Sequence, residues 1–132
     1  MKTQILLIDP SIQTSTATRL ILQQSDLQVL VVSNVSESLE HLANTELGLV
    51  IISASLNEET IGLINRIRRQ ESSYTPIVLM NTDLSEEALI AARKSGVSAC
   101  LDRRHYLSSA SAFRRVTTKL MQKASQPSRA CA

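Results

Sequence analysis

Aromatic residues are almost missing from this chain: among 132 residues there are two Tyr, one Phe and no Trp. Its core must therefore be aliphatic. Glycine is equally scarce. Gly48, Gly62 and Gly96 are the only three, too few to build either a P-loop or a dinucleotide-binding fingerprint. The two cysteines, Cys100 and Cys131, match no metal-ligand or disulfide spacing, so Cys100 reads as a small core residue and Cys131 as part of a tail. Neither His41 nor His105 has a Cys or a second His at metal-binding spacing. The many serines lack a nucleophile-elbow pattern, which argues against a Ser–His–Asp hydrolase. No apolar run approaches the ~18 residues of a membrane span. The apolar stretch of "MKTQILLIDP" is too short for a signal peptide and reads instead as the first strand of a cytoplasmic protein. Finally, acidic residues stop at Asp102. Residues 1–102 carry 7 basic and 12 acidic groups, whereas residues 103–132 carry 7 basic groups and no acid. The C-terminal helix is thus either a candidate surface for an acidic partner or a solvated basic face. The second basic cluster, "RIRRQ" (66–70), has no interleaved aromatics and is only weak evidence for nucleic acid as a ligand.

What the chain does contain is alternation. Apolar runs at 4–8, 28–32, 49–52, 76–80 and 98–101 precede amphipathic segments at 11–24, 35–45, 58–70, 85–95 and 108–123. Five strands alternating with five helices predict a parallel sheet covered on both faces, and the continuously apolar strands agree. Asp9-Pro10 suits a helix cap followed by Pro at the first helical position. Asn34/Glu37 and Asp83/Glu86 have capping-box spacing. Gly96 stands where a helix ends in a left-handed residue. Ile61, Ile64 and Ile67 with Arg68 form one helical stripe and Phe113, Val116 and Leu120 another, both read as core. Residues 1–123 are assigned to one domain, and 124–132, "ASQPSRACA", to a flexible tail or linker start.

In an open parallel sheet, ligands sit beyond the carboxyl ends of the strands where strand order reverses. For the order 2-1-3-4-5 that places Asp9 and Ser53 together, with Asn81 and Arg103 nearby. At these residues the sequence resembles the receiver domain of two-component response regulators. "ILLIDPS" (5–11) is similar to the first strand and its acidic corner, and "GLVIIS" (48–53) to the phosphoacceptor strand. "TPIVLMNT" (75–82) is similar to the fourth strand, and "GVSACLDRR" (96–104) to the segment around the fifth. The resemblance spans about residues 2–121. It implies an α/β, flavodoxin-like (βα)5 three-layer sandwich.

The departures fall on the chemistry. Pro10 stands where the family has a second acid, Ser53 where it has the acceptor aspartate, and Asn81 where it has Thr or Ser. Arg103 replaces the family's lysine, Arg104 the following proline, and Cys100 the aromatic switch residue. One carboxylate is a poor start for octahedral Mg²⁺, so metal binding is expected to be weak or absent and no cofactor is implied. A serine hydroxyl needs an adjacent base to act as a nucleophile, and none is evident beside Ser53. Asp9 reads as either a helix cap or a residual metal ligand. Arg103 is a candidate to pair with Asp9 and fill the pocket.

These substitutions imply a pseudo-receiver: not an enzyme, but a phosphorylation-independent interaction module with a signalling partner such as a kinase, output domain or regulator. The alternatives are a receiver with a non-standard acceptor, or a basic nucleic-acid-binding regulator. In receivers the usual partner or dimer surface is formed by the fourth helix, fifth strand and last helix. That surface would here involve Arg104, Arg114, Arg115, Lys119 and Lys123.

Overall fold

The structure is a computed structural model that describes residues 3–23, 26–44, 47–71, 75–81 and 85–124. Five strands form one parallel sheet: β1 (Thr3–Ile8), β2 (Leu27–Val32), β3 (Leu47–Ile52), β4 (Ile77–Asn81) and β5 (Ala99–Asp102). Their order is β2-β1-β3-β4-β5, as the flavodoxin-like fold of the resemblance implied. Helices α1 (Ile12–Leu22), α2 (Val35–Asn44), α3 (Glu58–Arg66) and α4 (Glu86–Ser95) follow the first four strands. After β5 come a short helix, α5 (Arg103–Leu107), and then α6 (Ala110–Ala124). The extra α5 was not foreseen. Asp102 caps it by accepting from the Arg104 backbone N–H (3.0 Å).

Two aliphatic layers sandwich the sheet. Strand residues Leu6, Ile8, Val50, Ile52 and Leu79 pack with Leu63, Ile64 and Ile67 of the α3 segment. Their alternating neighbours Ile5, Leu7, Leu49, Ile51 and Met80 pack with Leu22 of α1 and Phe113 of α6. The period of two sends successive residues to opposite faces. Both faces are covered, so the inner strands read as unbroken apolar runs. The edge strand β2 instead mixes buried Val29 and Val32 with half-buried Leu27 and Leu30 and exposed Gln28 and Val31. The second predicted stripe holds, with Phe113 buried and Val116 and Leu120 packed against the core; of the first, Ile64 and Ile67 are buried, while Ile61 is half-buried outside both core layers. Cys100 is half-buried against the α2–α4 layer. Burial raises its thiol pKa, and Arg93 partly offsets that.

Two of the predicted caps change. Ser11, not Asp9, caps α1, so Pro10 lies outside the helix. For α4 the cap is Ser85, whose Oγ accepts from the Ala88 N–H (3.2 Å); Asp83 lies outside the described residues. The Asn34/Glu37 box is present. Asn34 Oδ1 accepts from the Glu37 N–H (2.9 Å), while Glu37 reaches back to the Ser33 N–H (3.2 Å). Gly96 ends α4 at φ 109°, the left-handed conformation glycine tolerates. The tail assigned from 124 onward lies, from 125, outside the described residues.

The segment Ile67–Glu71 continues α3 as a π turn. It puts Arg68 at the amino-terminal edge of the sheet. Arg68 donates from Nε and Nη2 to the Gly96 carbonyl (3.0 and 2.7 Å), from Nη1 to the Thr75 carbonyl (2.5 Å) and from Nη2 to Ser98 Oγ (3.2 Å). The same Ser98 Oγ accepts from the Ile77 N–H. Part of "RIRRQ" is therefore a clasp between the loops preceding β4 and β5.

Candidate functional site

The sheet's hydrogen-bond ladder runs past the last strand residues and sets the rim. Asp9 N–H donates to the Val32 carbonyl (3.0 Å) and Ser53 N–H to the Ile8 carbonyl (2.8 Å). Since Ile8 pairs with Ile52, Asp9 and Ser53 are side by side beyond β1 and β3. Both are nearly buried, at 4% and 3% exposure. Beyond the next pair of strands, Asn81 is in register with Asp102.

Asp9 is occupied by its own loop and helix. Its Oδ1 accepts from the Ser11 N–H (2.9 Å) and its Oδ2 from the Thr14 hydroxyl (2.5 Å). The carboxylate thus braces the entry to α1 in front of the Ser11 cap. A carboxylate with both oxygens engaged by hydrogen-bond donors is satisfied without a cation.

The expected Asp9–Arg103 pair is not formed, because the Asp9 carboxylate is taken by Ser11 and Thr14. Arg103 instead donates from Nη2 to the Met80 carbonyl (3.4 Å), a long bond. The direction of that carbonyl follows from the ladder. Val50 N–H donates to the Pro76 carbonyl, whereas the Ile77 carbonyl accepts from Ser98 N–H. Carbonyls two residues apart along a strand point the same way, so Met80, like Pro76, faces β3. The guanidinium therefore reaches over the end of β4 toward the side where β3 ends in Ser53. Arg103 Nε is buried and has no hydrogen-bond partner.

The donor set at the rim does not fit Mg²⁺. Of the two carboxylates among the described rim residues, Asp9 is buried and accepts a hydrogen bond on each oxygen from its own loop and helix. The other, Asp102, caps α5 and lies 4.0 Å from Arg104 Nε. Among the described residues no group of three His, Cys, Asp or Glu side chains could hold a metal ion.

The residues assigned to a partner surface are spread out. Arg104 is exposed on α5. Arg115 and Lys119 are exposed one turn apart on α6. Arg114 turns toward α1, donating from Nε to the Ile21 carbonyl (3.0 Å). Lys123's side chain lies outside the described part. Sequence reasoning missed Asp102, although an Asp before "RRHYL" is a cap signal. It also missed Leu89 and Ile90, exposed on α4, which with Glu86, Arg93 and Lys94 line a concavity of about 440 Å³.

No protein-family model matches the chain, and no curated protein matches it. Solved structures do. A response regulator from Thermotoga maritima superposes with a TM-score of 0.80 at 20% identity, covering 92% of this chain and 99% of that one. The receiver domain of the Francisella response regulator 1452 gives 0.77 at 17%, covering 92% and 98%. The chemotaxis response regulator CheY4 of Vibrio cholerae gives 0.76 at 18%, covering 89% and 99%. The chain has the receiver fold. Within it, Ser53 ends the strand that "GLVIIS" matched to the phosphoacceptor strand, next to Asp9. No helix among the described residues is long and apolar enough to cross a membrane.

Proposed function

We propose that this chain is an atypical receiver-fold module that signals by binding a protein partner rather than by accepting a phosphoryl group. One observation carries the reading. At the junction of β1 and β3 the chain presents a serine beside a carboxylate whose oxygens are both engaged within the protein. A phosphoryl acceptor there would need an activated nucleophile and a cation, and the neighbouring groups favour neither. Asp9 and Ser53 act as parts of the fold, and Asn81 and Arg103 complete a rim from which the acidic cluster has been replaced. The partner face expected from the resemblance, α4–β5–α6, has exposed apolar side chains in Leu89 and Ile90 with Arg93 and Lys94 beside them. Such a mixture suits a docking surface.

The test is incubation of the whole chain with acetyl phosphate and Mg²⁺, read by intact-protein mass spectrometry and by amide NMR with beryllofluoride. The expected result is an unchanged mass and no saturable shifts at Asp9, Ser53, Asn81 and Arg103. A phosphate adduct that disappears in Ser53→Ala would overturn the reading.

A further inference from the structure

The sheet ends on one side at β2, which carries no charge, proline or glycine and pairs with β1 over all six residues without a bulge. Charges, proline and bulges are the usual devices that keep an edge strand from pairing with another chain. The direction of its backbone groups follows from the ladder. Thr3 N–H donates to the Asp26 carbonyl (2.9 Å) and Asp9 N–H to the Val32 carbonyl (3.0 Å). Backbone direction repeats every second residue, so Gln28 and Leu30, between these two, also turn their groups to β1. The groups of Leu27, Val29 and Val31 then point away from the sheet. One of these outward donors is covered. Val29 N–H donates to Oε1 of Gln23 (3.2 Å), the exposed residue that ends α1. Among the described residues no side chain does the same for Val31, which is 39% exposed. A glutamine amide thus occupies the midpoint of the edge, where a neighbouring strand's carbonyl would sit.

We propose that the β2 edge is a pairing site for a second copy of this chain, held closed by Gln23. Two copies related by a two-fold axis run their β2 strands antiparallel. With the axis at Val29, that residue lies opposite Val29 of the second copy, and Leu27 lies opposite Val31. Residues opposed in this way exchange both backbone bonds, so the outward groups of all three are used. Val29 N–H would donate to the Val29 carbonyl of the second copy, and Gln23 Oε1 must leave it first. The strand's own composition selects the second copy as occupant. An uncharged strand rich in Leu and Val meets itself without like-charge repulsion. Leu27 and Val29 pack on the α1 side of the sheet, and the period of two puts Val31 there as well. Exposed Val31 would therefore be covered by Leu27 of the second copy on that face. The bond from Gln23 makes the closed monomer the resting form, with which the dimer competes. The proposal goes beyond the reading of the rim and uses neither the rim nor Leu89 and Ile90 of α4.

The test is sedimentation of the whole chain over a range of concentrations, with hydrogen exchange at the Val29 amide followed by NMR. Gln23→Ala removes the blocking oxygen, whereas Gln23→Glu keeps one. Two latches open per dimer, so Gln23→Ala should dimerise about tenfold more tightly than the parent, equivalent to ~1.4 kcal/mol. Gln23→Glu should match the parent. Val29 N–H should exchange slowly in the parent at every concentration. In Gln23→Ala it should exchange fast when dilute and slowly when concentrated. Adding Val31→Lys, or Gln28→Lys on the other face of the strand, should remove the gain, since both positions are exposed and a lysine there blunts the edge. The proposal is overturned if Gln23→Ala associates no more tightly than the parent, or if Gln23→Glu associates as Gln23→Ala does. It is equally overturned if both lysine variants leave the dimer intact, or if the shifts on dimerisation map to α4 and β5. None of these readouts involves phosphate, so the dimer and the reading of the rim can fail separately.

Discussion

Each end of the sheet has its arginine, and the chain uses the two differently. At the amino-terminal edge, Arg68 donates, among the described residues, to the backbone carbonyls of Gly96 and Thr75 and to the Ser98 hydroxyl. Burial pulls its pKa down from the ordinary value. At the carboxyl-terminal rim, Arg103 makes one long bond to the Met80 carbonyl and leaves its buried Nε without a partner. The first guanidinium is satisfied by structure. The second is tolerated by it. A charged donor that ties loops together stabilises a fold, whereas one left partly unpaired is a local cost. The amino-terminal edge is therefore tied together by a well-satisfied guanidinium, whereas the rim holds one that is only partly satisfied.

Substitutions can break that contrast. The largest expected effect is Arg68→Ala, which should cost about 2–4 kcal/mol in urea unfolding, because it strips several charge-assisted bonds at once. A loss under ~1 kcal/mol would mean that the clasp contributes no more than an ordinary surface contact. Next is Gly96→Ala, at about 1–2 kcal/mol, since a side chain at φ 109° is strained. An added Cβ would also lie 3.2 Å from Arg68 Cγ, so the double variant with Arg68→Ala should be less than additive. At the rim, Asp9→Ala should cost about 1–2 kcal/mol by unbracing Ser11 and Thr14, with the same loss in the presence and absence of Mg²⁺. A loss that grows when Mg²⁺ is present would show a metal role for Asp9. The smallest effect is expected for Arg103→Met, within ~0.5 kcal/mol of the parent or stabilising, because it removes a donor that the fold leaves unmatched. If Arg103→Met proved as costly as Arg68→Ala, the distinction between the two ends would collapse.

The architecture was legible because its signals are local. The run "LVII" and the cap Asn34 with Glu37 announce their elements without reference to distant residues. The helix start was misplaced at Asp9-Pro10 for an equally physical reason. Asp and Ser are both good caps, and only the fold shows Asp9 bonded to Ser11 and Thr14 while Ser11 itself takes the cap position. The short α5 escaped notice because five residues carry too little periodicity to read. Strand order puts Asp9 beside Ser53, and Asn81 in register with Asp102, the residue before Arg103. Their side-chain partners were not legible. The pairing expected between Arg103 and Asp9 depended on side-chain directions that opposite charges in a sequence do not specify.

The sequence by itself determined the order of strands and helices, the aliphatic character of both core layers and the absence of a carboxylate at position 53. Each of these is a property of residue type and short-range spacing. The tertiary structure alone decided that Arg68 would clasp Gly96 and Thr75 and that Asp9 would bond to Ser11 and Thr14 rather than to Arg103. The Arg68 partners lie on distant segments that only the packed sheet brings within hydrogen-bonding reach, whereas Asp9 meets neighbours two and five residues away, in directions that only the folded turn into α1 sets.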